Sequence, residues 1–214
     1  ARRDFEKMLP GEFAGHGFDL FFRGLALERK KRFRELKDFM SSQEYARVKE
    51  TWRDGLKSWQ KHLINNPDLE EMAAALLKKH FRKIIKAGGK LSRSSADERF
   101  HDLRIEAKKL RYLLEFFSSL YHEDIIRDTI RRLKMFQDNL GAFNDYSVQI
   151  DMLEKFLRTA EKKKDQEQVK TLSALIAVSH REKEKLKKEY TGLYKAFADE
   201  KNQLLYQKLF GGNL

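Results

Sequence analysis

Cysteine is absent from the 214-residue chain. This absence excludes disulfides, thiolate nucleophiles and cysteine-ligated zinc or iron–sulfur centres, and it fits a reducing compartment. The chain has only two prolines and eleven glycines, and 36% of its residues are charged, a composition that favours long helices. No apolar run is long enough to span a membrane, and the first residues resemble neither a signal peptide nor a transit peptide. We therefore expect a cytoplasmic protein.

Basic residues outnumber acidic ones, and the formal net charge is +12. The excess is concentrated between Lys78 and Arg111, where twelve lysines and arginines face four acidic residues. A localised excess of this size indicates a partner that is a polyanion, such as nucleic acid, an anionic membrane or polyphosphate.

Helical periodicity dominates the sequence, and no stretch alternates apolar and polar residues as a strand would. We predict an all-α fold of antiparallel helical bundles, because the helices are long and their connections short. The predicted helices cover residues 2–9, 18–39, 43–64, 68–87, 97–121, 123–140, 144–162 and 165–199, with a short tail to 210 and a loop over 10–17.

Two helix boundaries are well marked. Ser42 is a plausible N-cap, and Pro67 disfavours helix at Asn66. We therefore expect two units, residues 1–66 and residues 67–214. The second unit reads as a four-helix bundle, whereas the first has too few helices for a complete one.

The helix that begins near Asp97 carries a row of basic residues. At about 100° per residue, positions 101, 104, 108 and 111 fall in one stripe, and apolar residues such as Leu103 and Leu110 fall on the other side. We call this stripe the 101–111 row; its members are His101, Arg104, Lys108 and Arg111. A row of fixed cations is either a solvated helix face or a binding surface for an anion.

The preceding helix carries a second stripe, the 79–86 row, whose members are Lys79, Arg82, Lys83 and Lys86. A short loop joins the two helices, so they are expected to be antiparallel neighbours with both rows in one groove or on one face. An arginine guanidinium can donate hydrogen bonds to two phosphate oxygens at once, whereas lysine carries a single positive charge on a flexible side chain. Further candidate anion ligands are Lys109, Arg131 and Lys134.

Metal binding and catalysis have little support in the sequence. His101-Asp102 lacks further ligands at workable spacing, and Gly88-Gly89-Lys90 fails the phosphate-loop pattern and reads better as a helix C-cap. No activated nucleophile is visible. We predict no catalytic residue, no bound metal and no cofactor, and therefore a protein that is not an enzyme.

A polar cluster follows at Gln137–Gly141 and Asn144-Asp145. One interpretation is a helix break at Gly141 with a new N-cap at Asn144-Asp145. In the other interpretation Gln137, Asp138 and Asp145 hold the basic side chains in position. Tyr112, on the same helix as the 101–111 row, would have the same positioning role.

Two segments resemble the signatures of one family, the conserved-histidine α-helical (CHAD) domain. The first is His101-x-x-Arg104-x-x-x-Lys108-Lys109-Leu110-Arg111-Tyr112-x-x-Glu115. The second is Phe136-Gln137-Asp138-Asn139-Leu140-Gly141-x-x-Asn144-Asp145-x-x-Val148. The resemblance covers about residues 68–155 well and the rest only by helical pattern.

The resemblance implies one domain of two pseudo-symmetric helical bundles that binds inorganic polyphosphate through basic residues without catalysis. It also implies association with polyphosphate granules. The 101–111 row matches the basic residues of the signature, and the 79–86 row matches the usual preceding helix less firmly. Residues 1–66 lack the similar His/Arg signature that the family carries in its first half, and we expect that an opening helix pair is missing. A mass measurement or a full-length clone tests this.

Two alternatives stay open. RNA or DNA could bind the same surface, with Tyr112 as the obvious stacking residue. A phosphohydrolase, or an accessory domain of one, would need carboxylates for a divalent metal, and only Glu115, Asp138 and Asp145 lie near the basic face. The oligomeric state is not predicted.

Overall fold

The computed structural model describes residues 16–63 and 69–210, and in this part of the chain it contains helices and no strand. The all-α prediction is confirmed. The helices are α1 His16–Met40, α2 Gln43–Leu63, α3 Leu69–Gly88, α4 Asp97–Phe116, α5 Glu123–Lys162, α6 Gln166–Phe197 and α7 Glu200–Leu209, with a 3₁₀ turn at Ser118–Leu120. The predicted helix over 2–9 lies outside the described residues. None of the described helices combines the length and the apolar composition needed to cross a membrane.

The chain forms two compact units. One comprises Ala1–Pro67 and Lys155–Leu175, and the other comprises Asp68–Glu154 and Ile176–Leu214. One boundary between the two units lies near Pro67. Residues 155–175, which the prediction placed in the second unit, group with the first, because α5 and α6 are 40 and 32 residues long and extend beyond the second unit.

The unit that contains Asp68–Glu154 has a core rich in aromatic rings. Phe81 of α3 stacks on Tyr206 of α7 with the ring centroids 4.0 Å apart, and Phe136 of α5 stacks on Phe197 of α6 at 4.9 Å. Such pairs add to the stabilisation that burial of their apolar surface provides. α4 joins this core through residues spaced three and four apart, namely Phe100, Leu103, Ala107, Leu110 and Leu114.

The unit that contains residues 155–175 holds the start of α1. The Phe21 and Phe156 rings lie 5.2 Å apart in an edge-to-face arrangement. The Gly17 amide donates a hydrogen bond to Glu167 Oε1 at 3.2 Å. These contacts anchor the first turns of α1.

Local capping sets two helix starts. The Tyr45 amide donates to Ser42 Oγ at 3.2 Å, which confirms the predicted N-cap of α2. The Asn202 amide donates to Asp199 Oδ1 at 2.7 Å and starts α7 in the same way.

The predicted helix break at Gly141 is wrong. α5 runs without interruption from Glu123 to Lys162, so Asn144 and Asp145 lie within the helix and cap nothing. A glycine inside a helix costs about 1 kcal/mol relative to alanine. Burial of Leu140 and Phe143 on either side of Gly141 outweighs that cost.

α4 begins at Asp97, as predicted, but its C-terminal end differs from the prediction. Its N-cap is Ala96, and no side chain caps the helix; Ser95 Oγ instead accepts a hydrogen bond from the Ser92 amide at 3.0 Å. The helix ends at Phe116, and a 3₁₀ turn replaces the last predicted turn.

α3 ends at the predicted glycines. Glycine is needed at position 88 because a side chain there would clash with neighbouring residues. A Cβ on Gly88 would lie 2.8 Å from Tyr194 Cδ2, closer still to Cε2, and 3.1 Å from the Tyr190 hydroxyl. That hydroxyl donates a hydrogen bond to the Gly88 carbonyl at 3.0 Å. The absence of a side chain therefore lets α6 approach the end of α3.

Gly88→Ala is expected to lower the free energy of unfolding by about 1–3 kcal/mol, because the new methyl group forces the two tyrosine rings to move. Gly141→Ala is the matched control. Nothing lies within 4 Å of a Cβ at Gly141, so the gain in helix propensity should stabilise the chain by about 0.5–1 kcal/mol. Urea unfolding followed by circular dichroism measures both changes. Equal effects of the two substitutions would contradict the steric explanation.

Candidate anion-binding site

The 101–111 row lies along one side of α4. His101 is exposed, and Arg104, Lys108 and Arg111 are partly buried. His101 Nδ1 is 2.7 Å from Asn144 Oδ1 of α5. The predicted stripe is therefore present, and its first residue, His101, contacts Asn144 of the next helix. Sequence reasoning had assigned Asn144 to a helix cap and so missed this contact.

Two cations of the row have no acidic partner. Within the described residues neither Arg104 nor Lys108 forms an ion pair, and Arg104 Nε is buried without a hydrogen-bond partner. Arg111 Nε is 3.6 Å from Glu115 Oε1, which is beyond hydrogen-bond distance, and its guanidinium lies 5.1 Å from the centroid of the Tyr112 ring. A buried donor without a partner is costly, so a bound anion would relieve a cost that the unbound row carries.

The 79–86 row occupies the outer side of α3, opposite its core residues. Lys79, Arg82, Lys83 and Lys86 are all exposed. Among the described residues, only Lys83 of this row forms an ion pair, at 3.8 Å from Glu106 Oε2. The row is therefore largely free to bind an anion.

A cleft of about 430 Å³ lies between α3 and α4. We call it the Lys83–Arg99 cleft; its lining residues are Lys83, Lys86, Ala87, Lys90, Leu91, Arg99, Asp102, Leu103 and Glu106. The contribution from α4 thus comes from positions 99, 102, 103 and 106, whose centre lies about 170° around the helix axis from the centre of the 101–111 row. The prediction that both rows line one groove or lie on one face is wrong, because the 101–111 row lies on the side of α4 that is turned away from this cleft, whereas Lys83 and Lys86 of the 79–86 row line it.

Glu106 links α3 to α4 at the edge of the cleft. Its carboxylate is 2.8 Å from His80 Nδ1 and accepts a hydrogen bond from Lys109 Nζ at 2.9 Å. Burial raises the pKa of Glu106, but the hydrogen bonds from Lys109 and His80 lower it by more. Lys109 is therefore already paired with a carboxylate.

The remaining predicted residues lie on α5. Arg131 forms an ion pair with Asp128, whereas Lys134 is exposed and has no ion-pair partner within the described residues. Gln137 is buried, with Nε2 lacking a hydrogen-bond partner. Within the described residues, Asp138 and Asp145 form no hydrogen bond or ion pair with a basic residue of either row. The residues that contact the 101–111 row are instead Asn144 and Glu115.

A second cavity of about 430 Å³ adjoins the start of the 101–111 row and is mainly acidic. Its lining includes His101, Asn144, four carboxylates and Lys183; the carboxylates are Asp97, Glu98, Asp102 and Asp151. No group of three or more histidine or acidic residues among those described is arranged to hold a metal ion.

Two lysines of α6 fix the first turn of α4. Lys187 Nζ is 2.9 Å from Asp97 Oδ1 and donates to the Ser95 carbonyl at 3.2 Å, and Lys183 Nζ donates to Asp97 Oδ2. Both lysines are more than nine-tenths buried. Lys183 lies over the Phe143 ring, and Lys187 lies over both the Phe100 and Phe143 rings. Asp97 is one helical turn before His101, so this cluster holds in place the end of α4 where the row begins.

The comparisons with known proteins agree with the two signatures. The family model described as CHAD domain matches residues 2–154. No curated protein matches the chain. Because the matched segment covers more than half of the 214 residues, the chain belongs to the CHAD domain family.

Proposed function

We propose that the chain is a binding module for inorganic polyphosphate and that the 101–111 row is its main contact. The main observation in support of this proposal is the 101–111 row. It places three cationic side chains and His101 along one side of a helix, with Arg104 and Lys108 unpaired among the described residues. Membership of the CHAD domain family supports the same ligand.

The chemistry of the row suits a repeating anion. A helix presents residues three and four apart as neighbours about 5–6 Å from each other. Successive phosphate groups of one chain can therefore meet successive cations of the row. Alternation of arginine with lysine and histidine combines bidentate contacts with flexible ones. The free cations of the 79–86 row would extend the contact with a long chain.

The proposed role is binding without catalysis, in the cytoplasm and at polyphosphate granules. Binding needs only the cations described above. Orthophosphate release from polyphosphate by the purified chain with magnesium or manganese would contradict this part of the proposal.

Polyphosphate binding should weaken steeply with salt. By analogy with nucleic acids, four phosphate contacts predict a fall in affinity of roughly 50- to 150-fold between about 50 and 200 mM salt, because counterion release is less favourable at higher salt. Titration of the chain with long-chain polyphosphate at several salt concentrations measures this slope. Absence of binding at low salt would contradict the proposal, and orthophosphate at the same phosphate concentration is the control for multivalency.

Single-stranded nucleic acid is a second candidate ligand, because two aromatic rings lie exposed near the end of the row. The Tyr112 side chain is 53% exposed, and Phe116, one helical turn later, is 78% exposed. Bases stack on such rings. Tyr112 was predicted from the sequence as a stacking residue, and Phe116 was not. Competition between polyphosphate and single-stranded RNA, repeated with Phe116→Ala, separates the candidates, because only RNA binding should lose affinity in that variant.

A further inference from the structure

The Lys83–Arg99 cleft has properties that the proposed polyphosphate contact does not use. The 101–111 row, the main contact proposed for polyphosphate, lies on the side of α4 that is turned away from the cleft. The cleft volume of about 430 Å³ is within the range of small-molecule sites, which is about 300–1,000 Å³. Its two walls, α3 and α4, belong to the same compact unit. The cleft is therefore a candidate site for a second ligand.

Unpaired cations are concentrated at one end of the cleft. At the other end, Lys83 Nζ is 3.8 Å from Glu106 Oε2, which shows which turns of α3 and α4 face each other. Because the two helices are antiparallel neighbours, the end near their connecting loop is formed by Lys86, Lys90 and Arg99. These three side chains are exposed and form no ion pair within the described residues. That end of the cleft therefore suits a group with several negative charges.

Two carboxylates in the cleft disfavour a ligand that is negative along its whole length. Asp102 is exposed and has no ion-pair partner among the described residues. Glu106 already accepts a hydrogen bond from Lys109 Nζ at 2.9 Å and lies 2.8 Å from His80 Nδ1. A phosphate group beside Asp102 would meet a like charge, whereas a hydroxyl or amino group can donate a hydrogen bond to it. The ligand should therefore combine an anionic end with hydrogen-bond donors.

The wall of the cleft is mostly apolar, although charged groups border it. Six of the nine lining residues are charged, and the other three are Ala87, Leu91 and Leu103. Packing of another helix into the cleft would bury these charges, which is costly unless each finds a partner. The cleft is therefore not an uncovered part of the core. Its apolar wall can instead cover one face of a ring system, as in many small-molecule sites.

We propose that the Lys83–Arg99 cleft is a nucleotide-binding site, with the phosphates at the end formed by Lys86, Lys90 and Arg99. The nucleoside then lies along the apolar wall, where Asp102 accepts a hydrogen bond from a sugar hydroxyl or a base amino group. The lining residues of α4 span positions 99 to 106, about 10.5 Å along the helix, so the cleft suits one short molecule. This inference goes beyond the proposed function and does not rest on it.

Calorimetric titration of the whole chain with ATP, without added divalent metal, tests the proposal. Inorganic tripolyphosphate is the matched ligand, because it has the same linked phosphates but no nucleoside. The comparison uses the Arg104→Glu, Lys108→Glu variant, in which the 101–111 row no longer attracts tripolyphosphate. At about 50 mM salt, ATP should bind at least tenfold more tightly than tripolyphosphate. Charge alone would give the opposite order, since tripolyphosphate is the more highly charged ligand.

Two kinds of substitution locate the nucleotide. Ala87→Leu fills part of the cleft without changing its charge, and it should weaken ATP binding at least tenfold while leaving the binding of long-chain polyphosphate unchanged. Lys86→Gln together with Arg99→Gln removes two contacts to the phosphates and should also weaken ATP binding at least tenfold. Arg127→Gln together with Lys185→Gln is the matched control for the lost charge and should change ATP affinity only a few-fold. Circular dichroism checks that helix content is unchanged.

Several results would overturn the nucleotide proposal. One is a chain that does not bind ATP at low salt, and another is equal or weaker binding of ATP than of tripolyphosphate, which would make the cleft a site for phosphate alone. ATP binding that is lost in the Arg104→Glu, Lys108→Glu variant, or that Ala87→Leu leaves unchanged, would place the nucleotide outside the cleft. A chain that binds ATP as described but does not bind long-chain polyphosphate would contradict only the proposed function.

Discussion

Asp97→Ala is expected to lower the free energy of unfolding by about 2–4 kcal/mol. The substitution leaves Lys183 and Lys187 buried without their acidic partner. Breaking a buried ion pair costs about 3–5 kcal/mol, and the expected value is lower because the Asp97 side chain is 38% exposed and water screens part of the interaction. Urea unfolding at pH 7 measures the change.

Glu98→Ala is the matched control for this prediction. Glu98 is in the same first turn of α4 and has no ion pair among the described residues. Its removal should therefore cost only the interaction of a charge with the helix dipole, about 0.3–1 kcal/mol. A similar loss in both variants would contradict the role assigned to Asp97. Adding Lys183→Met and Lys187→Met to Asp97→Ala should recover stability, because no buried charge then remains unpaired.

The contribution of Asp97 should also depend on pH. Burial raises its pKa, but the hydrogen bonds and positive charges of Lys183 and Lys187 together lower the pKa by more, to below its ordinary value of about 3.9. A carboxylate whose pKa is lower in the folded chain stabilises the fold fully above the pKa of the unfolded chain, and that stabilisation is lost as the pH falls through the folded-state pKa. The stability difference between the unchanged chain and Asp97→Ala should therefore be complete at pH 7 and shrink below about pH 4.

Local chemistry explains why most of the helices could be predicted from the sequence. Ser42 caps α2, and α3 begins just after Pro67, as expected. The break predicted at Gly141 failed because propensity is a weak, local term of about 1 kcal/mol, whereas the buried Leu140 and Phe143 bind α5 to its neighbours. Local rules cannot include such contacts.

The sequence predicted which basic residues share a face of each helix, but not how the helices of the candidate site are arranged. The spacing of residues 101–111 identified which side chains share a face of α4, because that depends on helix geometry alone. Which faces of neighbouring helices meet depends on packing, so the sequence could not show that the two rows do not share one groove or one face. The contacts of Asp97 with Lys183 and Lys187 join residues 86 and 90 positions apart, and no periodic pattern predicts them.

Charge reversal in the 101–111 row is expected to have the largest effect on binding. Arg104→Glu together with Lys108→Glu should weaken polyphosphate binding at least 100-fold at low salt, because two attractive contacts become repulsive at adjacent positions of the row. Fewer counterions would then be released, so the dependence on salt should flatten as well. Titration with long-chain polyphosphate at several salt concentrations measures both changes.

The control for this variant must change the net charge equally without touching the row. Arg127→Glu together with Lys185→Glu does so, since both residues are exposed and each is already paired with acids, Arg127 with Glu123 and Asp124 and Lys185 with Glu182. If the row is the site, this pair should weaken binding only several-fold, through the general loss of positive charge. Equal losses in the two variants would mean that the affinity comes from net charge alone, and the row would then have no special role. A third pair, Lys79→Glu with Arg82→Glu, measures what the 79–86 row adds. A loss that grows with polyphosphate length would mean that a long chain contacts both α3 and α4.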